Sequence, residues 1–288
     1  MTASPEPFLC IGAAHWDVVG RTAAALPAGA DVPGRVTGQP GGVAQNIARA
    51  LAALGRPVRL IAALGRDPIG DALASDLTAA GVDCSWLHRH PGATDSYVAI
   101  EGADGALHAA VADCAGLERA GAALLAPLAA ARPWPGRLVV DGNLPAEVLA
   151  AALGAGDTVA FVPASARKLA AIGPLLLARR PILYLNRAEA EALCGRSFPD
   201  SRTAAQAVWA RGAGEVVVTD AGLPATATEG AGLVTLPPPA VVPRRVTGAG
   251  DAFVAETNDD PKPFVWTADP KRVLAAVKRG KQALESIH

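Results

Sequence analysis

Residues 137–153, RLVVDGNLPAEVLAAAL, set a short apolar run directly before an alanine-rich stretch of helical length. The run is too short for a helix and shows no polar alternation, the pattern of a strand buried on both faces. The same unit recurs along the chain. FLCIGAA (8–14), VRLIAALG (58–65), TVAFVP (158–163), PILYLN (181–186) and EVVVTD (215–220) read as further buried strands. Helices are expected at 42–55, 68–80, 145–153, 165–178, 187–194 and 202–212. Strands alternating with helices give an α/β fold with a mostly parallel central sheet covered on both faces. Ligands of such sheets sit beyond the carboxyl ends of the strands. The polar residues near those ends are therefore candidates: Asp17, Asp141, Asn143, Asn186 and Asp220.

Two stretches have a different texture. TDSYVAIEGADGALHAAVA (94–112) places short runs on either side of Ala103-Asp104-Gly105, a hairpin signal, and 20–40 is rich in Gly and Pro. Together they suggest a small β excursion over the main sheet, either a lid or an ornamental hairpin. The chain has 288 residues, 51% hydrophobic and 18% charged, enough for a sizeable core in one or two domains. A formal net charge of -1 gives no global field for nucleic acid, a membrane surface or acidic ligands. Cys10, Cys84, Cys114 and Cys194 lie far apart without a CxxC pair and read as small buried hydrophobes of a reduced, cytoplasmic protein. MTASPEPFLC lacks the basic start and apolar run of a signal peptide, and no membrane span is expected.

Two glycine-rich stretches carry chemistry. In Gly248-Ala249-Gly250-Asp251, backbone N–H groups can converge without Cβ obstruction, and a helix starting at Asp251 or Ala252 adds its N-terminal dipole. That makes an anion hole suited to phosphate oxygens. Asp251 would repel a phosphate as a mere neighbour but makes sense as a general base, although the same pattern also serves as a plain turn ending in a helix cap. Gly41-Gly42-Val43-Ala44-Gln45-Asn46 places paired glycines before a helix whose first turn carries Asn46. The glycines permit close approach of a ligand, and Asn46 offers donor and acceptor to a hydroxyl; the bland alternative is a turn with a solvated Asn. Asp17 could accept hydrogen bonds from vicinal hydroxyls, with His15 beside it structural or at the substrate edge. There is no GxxxxGK[ST], so the chain is not a P-loop NTPase.

The order GxxxxD, GGxxxNxA, Asn186 to Glu189 as NxxE, Thr219 and GAGD resembles the ribokinase-like (pfkB) family of carbohydrate kinases over residues 8–253. Within it, AAVADC (109–114), VVDGNLPAEVL (139–149), FVPASARKL (161–169), LNRAEAEALCG (185–195) and VTGAGDA look most like the pseudouridine kinases. The resemblance implies a three-layer ribokinase-like sandwich with a small β lid, formed from about 20–40 and 94–112, and a homodimer made through that lid. It implies ATP-dependent phosphorylation of the 5′-hydroxymethyl group of a nucleoside or sugar, pseudouridine in this branch. Asp251 would be the base, with Gly248, Ala249 and Gly250 holding the transferring charge. Asp17, Gly41, Gly42 and Asn46 would bind the substrate's ribose, Asn186, Thr219 and Thr247 the nucleotide, and Glu189 the water around Mg²⁺. Neither nucleic acid nor membrane is an expected partner.

The chain also departs from the family. Arg245 stands where many members carry an acidic residue for a monovalent cation, so potassium activation by that route is not expected. Ala221 replaces a usual glycine two residues after Thr219. Asn258-Asp259-Asp260-Pro261 should stop the catalytic helix after about two turns, because proline disfavours helix at the residue before it. Residues 256–288, including DPKPFVWT, resemble the C-terminal tail of an insertion-sequence transposase without its acidic triad. The expected division is thus a kinase domain over 1–255 and a foreign tail, with one helix over 269–287 starting at Asp269 and Pro270. The lysines of that helix read as a solvated face. In this view the family's C-terminal helices are truncated and replaced, and the alternative to an active kinase is an inactive one.

Overall fold

Each apolar run becomes a strand in the computed structural model, which describes residues 6–23, 26, 27, 29, 31–103, 107–131, 133–238 and 249–259. In chain order the strands are β1 (Phe8–Ile11), β2 (His15–Thr22), β3 (Gly34–Gly41), β4 (Val58–Ile61), β5 (Ala63–Gly65), β6 (His88–His90) and β7 (Ser96–Glu101). They continue as β8 (Leu107–Asp113), β9 (Arg137–Asp141), β10 (Val159–Val162), β11 (Ile182–Asn186), β12 (Val216–Asp220), β13 (Leu223–Glu229) and β14 (Gly232–Leu236). The main sheet runs β14-β13-β12-β11-β10-β9-β1-β4. Its strands from β12 to β4 are parallel, and β13 and β14 close one edge as an antiparallel pair.

Alternate side chains of each central strand feed separate cores. Leu9, Ile11, Leu138, Val140 and Phe161 face one, with helices Ala146–Leu153, Ala166–Arg179 and Ser201–Ala210 over them. Phe8, Cys10, Leu60, Val139 and Ala160 face the other, under helices Val43–Ala53 and Ala249–Asp259. Ala44, Ile47, Ala48 and Leu51 recur at helical spacing and bury one face of Val43–Ala53. Burying a side chain such as Ile47 or Leu51 stabilises the fold by about 1.5–3 kcal/mol.

A second sheet, ordered β3-β2-β7-β8, contains the expected hairpin, whose tip at 104–106 lies outside the described residues. The excursion starts at His15, earlier than the sequence suggests, so Asp17 belongs to this second sheet and not to the end of β1. The run 58–65 also divides: the Ala62 carbonyl accepts from His88 N, and β5 pairs with β6.

Helix Ala249–Asp259 is described for about three turns instead of two, and it crosses the expected boundary after residue 255. Thr257 anchors the added turn, and residues of the turn before it are packed. Thr257 Oγ1 donates to the Tyr184 hydroxyl at 3.1 Å, and Tyr184 meets Phe253 edge-on at 6.4 Å. Val254 and Ala255 are buried. Arg245, Thr247, Gly248 and 260–288, with the helix expected at 269–287, lie outside the described residues. Among the described residues no helix is long and apolar enough to cross a membrane.

Candidate active site

Strand order reverses at β1, which has the later strands β4 and β9 on its two sides. That is where open parallel sheets form a ligand crevice. Gly12 follows β1, and a Cβ there would collide with the Asp141 side chain at the end of β9. The lack of a side chain lets Asp141 reach three backbone donors. Its Oδ2 accepts from Ala13 N at 2.8 Å and Ala44 N at 3.3 Å, and its Oδ1 from Asn143 N at 2.7 Å. One buried carboxylate therefore ties the end of β1, the start of helix Val43–Ala53 and the turn after β9. Burial pushes its pKa up, and the N–H donors oppose the shift.

The glycine pair has two separate uses. Gly42 caps the helix with φ 107, and a Cβ there would strike the Ala13 carbonyl. Gly41 leaves room for the Asp17 carboxylate, which lies against it. Asp17 Oδ1 is 3.0 Å from His15 Nε2, without the alignment of a hydrogen bond. Asn46, one turn into the helix, donates from Nδ2 to Asp251 Oδ2 at 2.9 Å. Asp251 sits in the first turn of helix Ala249–Asp259 beside Gly250. Burial pushes its pKa up to about 6, with the Asn46 hydrogen bond opposing and the Asp141 charge adding. Asp17, Gly41, Gly42, Asn46 and Asp251 thus gather at the crevice.

A second group forms at the ends of β11 and β12. Asn186 and Thr219 are paired in parallel register. Asn186 Oδ1 accepts from Glu189 N at 2.9 Å and Glu189 Oε2 from Asn186 N at 2.8 Å, a reciprocal capping box on helix Arg187–Cys194. Each residue keeps one polar atom beyond the cap. Burial pushes Glu189 up to about 7, the Asn186 N–H opposing. Asp220 accepts from Arg187 Nε at 2.9 Å, which makes it structural. Ala221 turns the chain with φ 49. β11 lies two strands from β9, about 10 Å away at ordinary strand spacing. Among the described residues no hydrogen bond joins the two groups. Gly248 and Thr247 lie outside the described residues; Ala249 and Gly250 begin the helix.

The hub role of Asp141 has no local sequence signal. Its place at a strand end marks it only as a candidate. Lys168, whose Nζ lies 3.3 Å from Asn143 Oδ1, is not singled out by the sequence at all.

The model of the pfkB family carbohydrate kinases matches residues 7–255. A pseudouridine kinase of Escherichia coli is 33% identical over 188 residues, covering 64% of this chain and 60% of that protein. The uncharacterized sugar kinase YeiI of the same organism is 34% identical over 145 residues, covering 50% and 40%. The chain thus spans less than two thirds of the length of these curated relatives. The solved structure of a carbohydrate kinase from Agrobacterium tumefaciens superposes with TM-score 0.75 at 29% identity, covering 96% of this chain and 89% of that one. The architecture is the ribokinase-like sandwich, with its mostly parallel central sheet. From the family match and this fold together, the chain belongs to the pfkB family of carbohydrate kinases.

Proposed function

We propose that this chain transfers the γ-phosphoryl group of ATP to the 5′-hydroxymethyl oxygen of a nucleoside or sugar, with pseudouridine the favoured acceptor. Asp251 carries this reading: a half-buried carboxylate at a helix start, held by Asn46, with a pKa of about 6. Such a base is mostly ionised at neutral pH yet retains useful proton affinity. The acceptor oxygen attacks the γ-phosphorus while Asp251 takes its proton. The bond from phosphorus to the β,γ-bridging oxygen breaks, and ADP leaves with the electron pair. Support for pseudouridine comes from the Escherichia coli relative.

In this reading Asp17, Gly41, Gly42 and Asn46 hold the ribose hydroxyls, while Gly248, Ala249 and Gly250 face the transferring phosphate. Asn186, Thr219 and Thr247 face the nucleotide. Among the described residues no cluster of three His, Cys, Asp or Glu could by itself hold a metal ion. Glu189 keeps one oxygen outside the capping box, which suits a Mg²⁺ carried by the nucleotide's phosphates and met through water. Bound there, Mg²⁺ would neutralise phosphate charge. The second sheet would act as a lid and as the homodimer face. By strand register Val36, Val98, Ile100 and Val111 share the side opposite Asp17, and they are exposed by 73%, 42%, 37% and 70%. A cytoplasmic location fits an ATP-using enzyme.

The test is ADP release by purified protein offered ATP with pseudouridine, ribose, adenosine or fructose 6-phosphate. Turnover on pseudouridine should fall at least ~10²-fold in Asp251→Asn at unchanged melting temperature. Near-normal turnover in that variant would sink the assignment. A second reading is a domain, followed by a foreign tail, that turns over poorly or not at all. It is favoured by the family match stopping at residue 255. Replacing 256–288 with the helical C-terminus of an intact relative would then raise turnover.

A further inference from the structure

The chain passes between the second sheet and the rest of the molecule four times, at 12–14, 42, 91–95 and 114–115. The tilt of that sheet, and with it the place of Asp17, is set at these crossings. Asp141 serves the first two from the body side, through Ala13 N and Ala44 N. Asp95 joins the first, third and fourth from the sheet side. It lies in the third crossing itself. Its carbonyl accepts from Trp16 N at 3.0 Å, at the foot of β2. Its carboxylate accepts from Gly116 N at 2.9 Å on Oδ1 and 3.1 Å on Oδ2, just past the fourth crossing.

A carboxylate is a costly group to bury, and Asp95 is only 6% exposed. Burial pushes its pKa up, and the Gly116 N–H and the Arg119 guanidinium oppose the shift. Arg119 Nη2 reaches Asp95 Oδ1 at 3.3 Å and the Ala93 carbonyl at 3.4 Å. Gly116 has to be glycine for the carboxylate to come this close, since a Cβ there would meet Asp95 Oδ1 at 2.9 Å. The neighbouring Thr94 ties the same crossing to the body. Its N donates to Asp67 Oδ2 at 2.8 Å, and its hydroxyl donates to Asp67 Oδ1 at 2.6 Å and accepts from Gly65 N at 3.0 Å. Thr94 thus fixes the crossing to the body, and Asp95 fixes the sheet to the crossing.

We propose that Asp95 is a positioning residue: by clamping the roots of β2 and β7 to the chain that leaves β8, it sets where Asp17 stands relative to Asn46 and Asp251. The proposal rests on the phosphoryl-transfer reading for what Asp17 holds. Trp16, whose N–H Asp95 accepts, directly precedes Asp17, so a shift at the clamp is passed on to that carboxylate. Displacing a substrate-positioning group by about 1 Å can cost about 10²-fold in rate. Asp95 touches no reacting atom in this role and acts through Asp17.

A double-mutant cycle on the full chain tests it, with pseudouridine and ATP binding read by calorimetry. Asp95→Ala should weaken pseudouridine binding about fivefold or more when Asp17 is present, and by less than about twofold in an Asp17→Ala background. ATP affinity should stay within about twofold in both. Asp95→Asn keeps one oxygen for Gly116 N and should show the same pattern at smaller size. Hydrogen exchange reads the clamp without a ligand. The Trp16 and Gly116 amides should exchange at least about tenfold faster in Asp95→Ala, while the Gly65 amide keeps its rate. An equal loss of pseudouridine affinity in both backgrounds overturns the proposal, as does a matching loss for ATP or unchanged exchange at Trp16 and Gly116. Asp17-dependent weakening of pseudouridine binding in a protein that releases no ADP would leave Asp95 in this role and remove the kinase reading alone.

Discussion

Asn46 Nδ2 donates to Asp251 Oδ2 across 2.9 Å and so joins the first turns of two helices 205 positions apart in the chain. The bond stabilises the ionised carboxylate against burial, which holds the pKa at about 6. Turnover should therefore fall as pH drops through about 6, because a protonated Asp251 cannot accept the hydroxyl proton. Asn46→Ala removes the opposing hydrogen bond and should move that acid limb upward by roughly half a unit or more. The pH profile of kcat between pH 5 and 9 measures it. A limb unmoved by the substitution would mean that another group sets it.

Asp17 stands on β2 of the second sheet with Gly41 against its carboxylate, whereas the Asn186–Thr219 pair sits at the ends of β11 and β12 of the main sheet. Asp17→Ala should weaken pseudouridine binding about tenfold or more while leaving ATP affinity within about twofold. Calorimetry with each ligand separately distinguishes the two. Equal losses would place Asp17 in the framework and not at the substrate.

Glu189 makes stability depend on pH in a direction opposite to most carboxylates. Burial raises its folded pKa from 4.5 to about 7, so the folded chain holds the proton more tightly than the unfolded one. The contribution is fully present below 4.5 and is lost as pH rises through about 7. Glutamine accepts the same Asn186 N–H bond without a charge. Glu189→Gln should raise the melting temperature of the ligand-free protein at pH 8 by roughly 2–4 °C, the effect of about 1 kcal/mol at a half-buried site. At pH 4.5 the two proteins should melt together. A gain that is equal at both pH values would refute the burial account.

Ala221 adopts φ 49 in the exposed turn between β12 and β13. A Cβ in the left-handed region costs roughly 1–2 kcal/mol, part of which glycine's greater freedom in the unfolded chain takes back. Ala221→Gly should therefore raise the melting temperature by about 2 °C, read by thermal denaturation. No gain would show that the turn relaxes around the methyl group.

The main sheet was legible because parallel strands buried on both faces leave uninterrupted apolar runs, as FLCI and VAFV do. β2, with the sequence HWDVVGRT, is half polar and only partly buried, so nothing local separates it from a loop. The same holds for β13, where threonine and alanine replace large apolar residues, and β14 is too short and exposed to stand out. The site divides along similar lines. Gly41 and Gly42 stand out because close backbone approach demands glycine there, and Gly250-Asp251 because the pair opens a helix. Asp141 does not, since its donors Ala13 and Ala44 lie 128 and 97 positions away and give no short-range pattern. The Lys168–Asn143 contact spans 25 positions and two secondary-structure units, so it too becomes visible only in three dimensions.

Asp17 belongs to the second sheet, whereas Asn46 and Asp251 ride on helices packed against the first. A sugar gripped by Asp17 and Asn46 together would work as a clasp, fastening one layer of the molecule to the other through its own hydroxyls. Water could not do the same, since a single small molecule cannot span both grips. The acceptor would then supply the latch as well as the nucleophile, and an empty site would have little reason to spend ATP on hydrolysis.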